Sequence, residues 1–67
     1  MDWRKIIGEI IIKHELKQGD IADLVGVTQV TISNLYNRKI QDPIYRTGSK
    51  LLDLHKAKTV QQFKEGK

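Results

Sequence analysis

No cysteine occurs in the 67 residues of this chain, and that absence constrains the fold more than any residue present. A chain so short buries only about 60% of the surface that its unfolded form exposes. A single core of that size rarely supplies more than ~3–5 kcal/mol unless a disulfide, a metal or a partner subunit helps. Disulfides and thiolate metal sites are excluded here. His14 and His55 stand far apart, without the paired spacing of a zinc site, so neither a metal nor any other cofactor is expected. Close helix packing, dimerisation or both must then hold one small domain over 1–67. The longest apolar run, Ile10-Ile11-Ile12, is far short of the ~20 residues that span a bilayer, and no partnership with membranes is expected. The N-terminus lacks the basic, apolar and small-residue order of a secretory leader, so a cytoplasmic location is the expectation.

The net charge of +4 is unevenly spread. Residues 1–17 carry four basic against three acidic side chains, and 18–37 carry none against Asp20 and Asp23. Residues 38–50 hold Arg38, Lys39, Arg46 and Lys50 against Asp42 alone, and 51–67 carry four against two, so the segments contribute +1, −2, +3 and +2. The stretch without a cation is rich in neutral hydrogen-bonding groups: Gln18, Thr28, Gln29, Thr31, Ser33, Asn34 and Asn37. Neutral donors and acceptors followed by a basic cluster suit a surface that reads base edges beside one that anchors phosphates. On charge alone, a polar helix followed by a solvated loop accounts for the same pattern equally well.

Periodicity predicts short helices throughout, and the expected fold class is all-α: a compact bundle of four to five short helices. Asp2 is placed to cap a first helix in which Trp3, Ile6, Ile7, Ile10 and Ile11 form one apolar stripe. Ile21, Ala22, Leu24 and Val25 give a second helix that stops at Gly26. Thr28 caps a third, running to about Asn37. Asp42-Pro43 predicts the start of a fourth, with Ile44, Gly48, Leu51, Leu52 and His55 on one side. Thr59 is placed to cap a last short helix in the tail 59–67, with Val60 and Phe63 turned inward.

The most specific pattern runs from Gln18 to Asn37, QGDIADLVGVTQVTISNLYN. Two short helices that meet through a turn of three or four residues must approach closely, so the first needs a small side chain at the crossing. Ala22 meets that need. The turn needs one residue at positive φ, which Gly26 adopts without a Cβ clash. Val27 then plugs the turn, while Ile32 and Leu35 hold the second helix down. At 100° per residue from Gln29, Ser33, Asn37, Val30 and Asn34 lie at about 40°, 80°, 100° and 140°, and Ile32 and Leu35 at about 300° and 240°. One face is apolar and the other is nearly all amide and hydroxyl. Gln29 or Asn34 suits the N6 and N7 of an adenine in the major groove, Val30 a thymine methyl, and Ser33 either a base or a phosphate.

These residues resemble the helix-turn-helix of the lambda-repressor and Cro-like family of small phage-type transcriptional regulators. The specific match is the twenty-residue motif, and the family's five helices can be laid over nearly the whole chain. The resemblance implies that Gln18 touches a DNA phosphate, that Thr28-Gln29 opens a recognition helix with Gln29 reading a base, and that Arg38 and Lys39 contact the backbone. Two positions depart from the family pattern: Lys17 stands where a capping Ser or Thr is usual, and Arg38 where glycine is common. They bear on the start of the second helix and on the path of the loop after the third.

The expected function is therefore sequence-specific binding of double-stranded DNA in transcription regulation, by a Cro-like repressor of a bacterial cell or phage-infected host. Gln29, Val30, Ser33 and Asn34 are the candidate base readers. Gln18, Thr28, Asn37, Arg38, Lys39 and Arg46 are the candidate phosphate contacts. One such domain reads only a few base pairs, so a homodimer on a pseudo-palindromic operator is expected, its half-sites about one helical turn (~34 Å) apart. Val60, Phe63 and nearby Leu54 are the candidates for the dimer surface. Trp3 and Phe63 are expected as core or dimer aromatics, and neither histidine is given a role. The alternative is a protein-interaction module of antitoxin or antirepressor type, with the same fold masking a protein partner. No paired carboxylate, nucleophile with a base, or phosphate-binding glycine loop points to an enzyme, and no small-molecule ligand is evident.

Overall fold

In a computed structural model that describes residues 2–65, five α-helices follow one another: α1 Trp3–His14, α2 Gln18–Val25, α3 Gln29–Tyr36, α4 Tyr45–Lys56 and α5 Val60–Glu65. The fold is all-α, a small helical bundle, with no strand among the described residues. Gly66 and Lys67, the end of the tail assigned to 59–67, lie outside them.

Local chemistry sets most of the helix ends. The Asp2 carboxylate caps α1 by accepting from the Lys5 backbone N–H at 3.2 Å. At the other end Glu15 turns left-handed (φ 55°), and the Leu16 N–H reaches back to the Ile11 carbonyl at 3.1 Å. Lys17 has no side-chain acceptor with which to cap α2. Three residues on, the Asp20 carboxylate accepts from the Lys17 N–H at 3.1 Å, so the start of α2 is secured from inside the helix. Gly26 ends α2 at φ 87°, and the Ala22 carbonyl accepts from both the Gly26 and Val27 N–H groups at 2.8 and 2.9 Å. The Thr28 hydroxyl caps α3 by accepting from the Thr31 N–H at 3.3 Å. Thr59 does the same for α5 through the Gln62 N–H at 3.0 Å.

The fourth helix departs from expectation. It begins at Tyr45 behind an extended Ile44, not at Asp42-Pro43, and no side chain caps it. Packing explains the shift: Pro43 lies against Gly48, where a Cβ would stand 3.2 Å from the proline Cγ and 3.3 Å from Trp3 Cη2. The ring covers a seam between α4 and the indole, which outweighs its use as a first helical residue. Ile44, assigned to the inward side, is 71% exposed.

The first four helices all supply the core. Ile7 and Ile10 from α1, Ile21 from α2, Ile32 and Leu35 from α3, and Leu51 and Leu54 from α4 are almost wholly buried. Each contributes roughly 1.5–3 kcal/mol relative to exposure. None of these helices exceeds 12 residues, which in isolation is marginal in water, so their stability comes from this shared burial. Ala22 is buried, α2 and α3 are the pair with the most extensive contact, and α1 packs on α3 and α4. Trp3 is a core residue, although its indole N–H is buried without a partner among the described residues, and Phe63 packs on the core edge. Leu54 is fully buried, which removes it from any dimer surface.

The two histidines, left without a role above, tie α1 to α4. His14 Nε2 lies 3.0 Å from the Leu54 carbonyl, His55 Nε2 lies 2.6 Å from Glu9 Oε1, and the Lys13 ammonium donates to the His55 carbonyl at 3.0 Å. The His14 and Lys13 contacts meet carbonyls in the last turn of α4 that no helical partner reaches.

Candidate nucleic-acid interface

The turn from Gly26 to Thr28 sets α3 across α2, with Ile32 and Leu35 inward. What remains outward is the polar face. Gln29 and Asn37 are exposed, Ser33 and Asn34 half-buried, and Val30 is 66% exposed. All four candidate base readers therefore lie on one side of one helix. Gln29 does not extend freely: its side-chain amide lies along Gly19, where a Cβ would stand 3.4 Å from Oε1. The starts of α2 and α3 are thus adjacent, and Gln18, half-buried in the first turn of α2, belongs to the same end. Asn37 donates its amide to the Ser33 hydroxyl at 3.2 Å, so a reader and a phosphate candidate bond each other. The Thr28 hydroxyl is engaged by the cap and by the Thr31 hydroxyl at 3.1 Å.

At the other end of α3 the chain reverses through Arg38, which adopts φ 62°. The Arg38 N–H reaches the Leu35 carbonyl at 3.2 Å and the Lys39 N–H reaches the Asn34 carbonyl at 2.8 Å. This is a glycine-type helix stop, made here by an arginine. The Arg38 guanidinium pairs with the Asp2 carboxylate at 3.4 Å, with both side chains largely in solvent. The Lys5 N–H bond and, after the opposing effect of desolvation, the Arg38 charge hold the Asp2 carboxyl below its ordinary value of 3.8. Lys39 is exposed.

The basic cluster of residues 38–50 divides in space. Arg38 and Lys39 stay at the end of α3. Arg46 and Lys50 line an open groove between α2, α4 and α5, with Asp23, Leu24 and Phe63, and Tyr45 at 90% exposure beside them. Arg46 thus shares a groove with Lys50, whereas Arg38 is paired with Asp2.

The structure also brings in a residue that the sequence reading passed over. The Arg4 guanidinium lies 4.9 Å from the centre of the Tyr36 ring, in the last turn of α3. Thirty-two positions separate the two in sequence, and no local pattern links them.

Among the described residues no group of three or more His, Cys, Asp or Glu side chains could hold a metal, and no helix is long and apolar enough to cross a membrane. No protein-family model, curated protein or solved structure matches the chain.

Proposed function

We propose that this chain binds double-stranded DNA in a sequence-specific manner as a helix-turn-helix transcriptional regulator of the lambda-repressor and Cro-like type. The observation that carries the reading is the outer face of α3: Gln29, Val30, Ser33 and Asn34 point away from a helix fixed by Ile32 and Leu35, with an exposed valine among amides and hydroxyls. An apolar side chain on such a face has a use if it meets a thymine methyl, and the amides beside it match adenine edges. Gln18 and Thr28 at one end of α3, and Asn37, Arg38 and Lys39 at the other, supply backbone contacts that set register. Two copies on half-sites about one turn apart give the specificity that one helix lacks.

The test is selection of bound duplexes from a random pool, followed by titrations of variants on the enriched site. Gln29→Ala is expected to change which sites are preferred. Lys39→Ala is expected to weaken all duplexes alike and to lower the salt slope by about 0.9. Equal effects from both substitutions contradict the division of roles, and no preference for any duplex at moderate salt removes the reading. A second reading, a protein-interaction module, is favoured by the groove between α2, α4 and α5 with Tyr45 beside it. It predicts a complex with a protein partner that protects this groove from solvent exchange in the absence of DNA, and the reading fails if no such partner protects it.

A further inference from the structure

We infer that Arg4, in the first turn of α1, is a further contact to the DNA backbone, held over Tyr36 at the C-terminal end of α3. The inference rests on the DNA-binding reading above and adds to it a residue outside the helix-turn-helix.

Position comes first. Tyr36 follows Gln29 by seven residues, which on a helix returns to within about 20° of the same line. It follows Ser33 by three and so neighbours it on the helix surface. The Tyr36 ring thus borders the outward face of α3, and the guanidinium 4.9 Å from its centre stands at that border. The ring is set from below as well. Gly8, four residues after Arg4 and on the same side of α1, lies against it: a Cβ there would meet Tyr36 Cε1 at an ordinary contact distance of 3.9 Å. Arg4 and Gly8 together seat the ring, and the ring in turn orients Arg4.

Charge comes second. Arg38 already has a carboxylate, Asp2, at 3.4 Å. Among the described residues Arg4 has no ion pair and no side-chain hydrogen bond, and its guanidinium lies over the aromatic ring. A contact with an aromatic ring supplies no carboxylate or carbonyl acceptor, so the N–H donors of the guanidinium remain available to a phosphate, which they can grip in bidentate fashion. A cation held this way loses less freedom on binding than one on a free stem.

Span comes third. The eight residues of α3 are roughly 12 Å long, about the width of the major groove. Gln18 and Thr28 serve one end. At the other end Arg4 adds a cation without a carboxylate partner to Asn37, Arg38 and Lys39, so the two ends can meet the backbones on either side of the groove.

The experiment is a salt series of fluorescence-anisotropy titrations with the full chain, on a duplex enriched from the random pool and on a scrambled duplex. Arg4→Ala is expected to weaken both and to lower the log K against log salt slope by about 0.9, so that its deficit shrinks about three- to fourfold between 50 and 200 mM salt. Arg4→Lys should restore the slope. Lys13→Ala, which removes a cation near the far end of the same helix, should leave it unchanged. Thermal unfolding of each variant reports whether the fold persists. An Arg4→Ala slope equal to that of the parent, while Gln29→Ala still alters site preference, overturns the role of Arg4 and spares the DNA reading. A Lys13→Ala effect as large as that of Arg4→Ala reduces the effect to net charge and overturns it too. Failure of the parent chain to prefer any duplex removes both.

Discussion

Replacing Arg38 by glycine should make the protein more stable than replacing it by alanine, the reverse of the usual order. At ordinary helical positions glycine is worse than alanine by about 0.8–1.0 kcal/mol. Arg38 differs because its backbone is left-handed at φ 62°, and two hydrogen bonds, from its own N–H and that of Lys39, depend on the reversal. An L-residue in that region costs roughly 1–2 kcal/mol, whereas glycine enters it freely. Glycine's greater freedom in the unfolded chain offsets about 0.4–1 kcal/mol of the relief, leaving roughly 0.5–1 kcal/mol in its favour. Both variants lose the solvent-screened pair with Asp2, so the comparison cancels it. For a domain of this size the difference corresponds to about 2–8 °C in Tm, well within reach of calorimetry or circular dichroism. Glu15, also left-handed at φ 55° and exposed, makes no side-chain bond among the described residues, and Glu15→Gly should gain a similar amount over the parent chain. If Arg38→Ala proves as stable as Arg38→Gly, or more so, the left-handed turn is not what ends α3. If the chain binds DNA as proposed, both variants should lower the salt slope equally, because each removes the same charge.

Two helical glycines should respond in opposite directions. Gly8→Ala places its methyl at ordinary contact distance from Tyr36, 3.9 Å, and should stabilise by up to about 1 kcal/mol through helix propensity. Gly48→Ala drives a methyl to 3.2 Å from Pro43 and 3.3 Å from Trp3, and should destabilise by about 1–3 kcal/mol in urea unfolding. A stabilised Gly48→Ala would show the seam to be loose. Stability should also fall in acid in a way that depends on Asp2. Its carboxyl titrates below the ordinary 3.8, so its contribution is fully present above that value and is lost as pH falls through the lowered one. Asp2→Asn keeps an acceptor for the Lys5 N–H but has no charge, and should flatten the unfolding midpoint over that interval; an unchanged acid profile would remove Asp2 from the account. Gly26→Ala, where there is open space but φ is 87°, should cost more than 1 kcal/mol from backbone strain alone.

Much of the helix layout was legible because it depends on short-range chemistry. Asp2, Thr28 and Thr59 cap the helices they precede, and Gly26 ends α2, since a cap or a left-handed turn is decided within three or four residues. The inward stripes of α1, α2 and α3 followed from periodicity for the same reason, although Ile6, Ile11 and Leu24 at their edges are only partly buried. Asp42-Pro43 misled because its local preference met a tertiary demand, the cover that Pro43 gives to Gly48 and Trp3. Leu54 looked like a surface candidate because a sequence near a chain end does not say which side of a helix the core occupies.

The site divides in the same way. By itself the sequence determined an all-α chain without covalent staples, the helix-turn-helix spacing from Gln18 to Asn37, and the polar character of one side of α3, because each depends on residue type and on a period of 3.6. Only the tertiary structure decided which cations accompany that face. Folding sent Arg46 and Lys50 into the groove beside α5, paired Arg38 with Asp2, and carried Arg4 across 32 residues onto the Tyr36 ring. Charge counted along a chain assigns an excess to a segment, but proximity between segments comes from helix packing, which buries Ile7, Ile32 and Leu51 together and thereby fixes what lies at the surface above them.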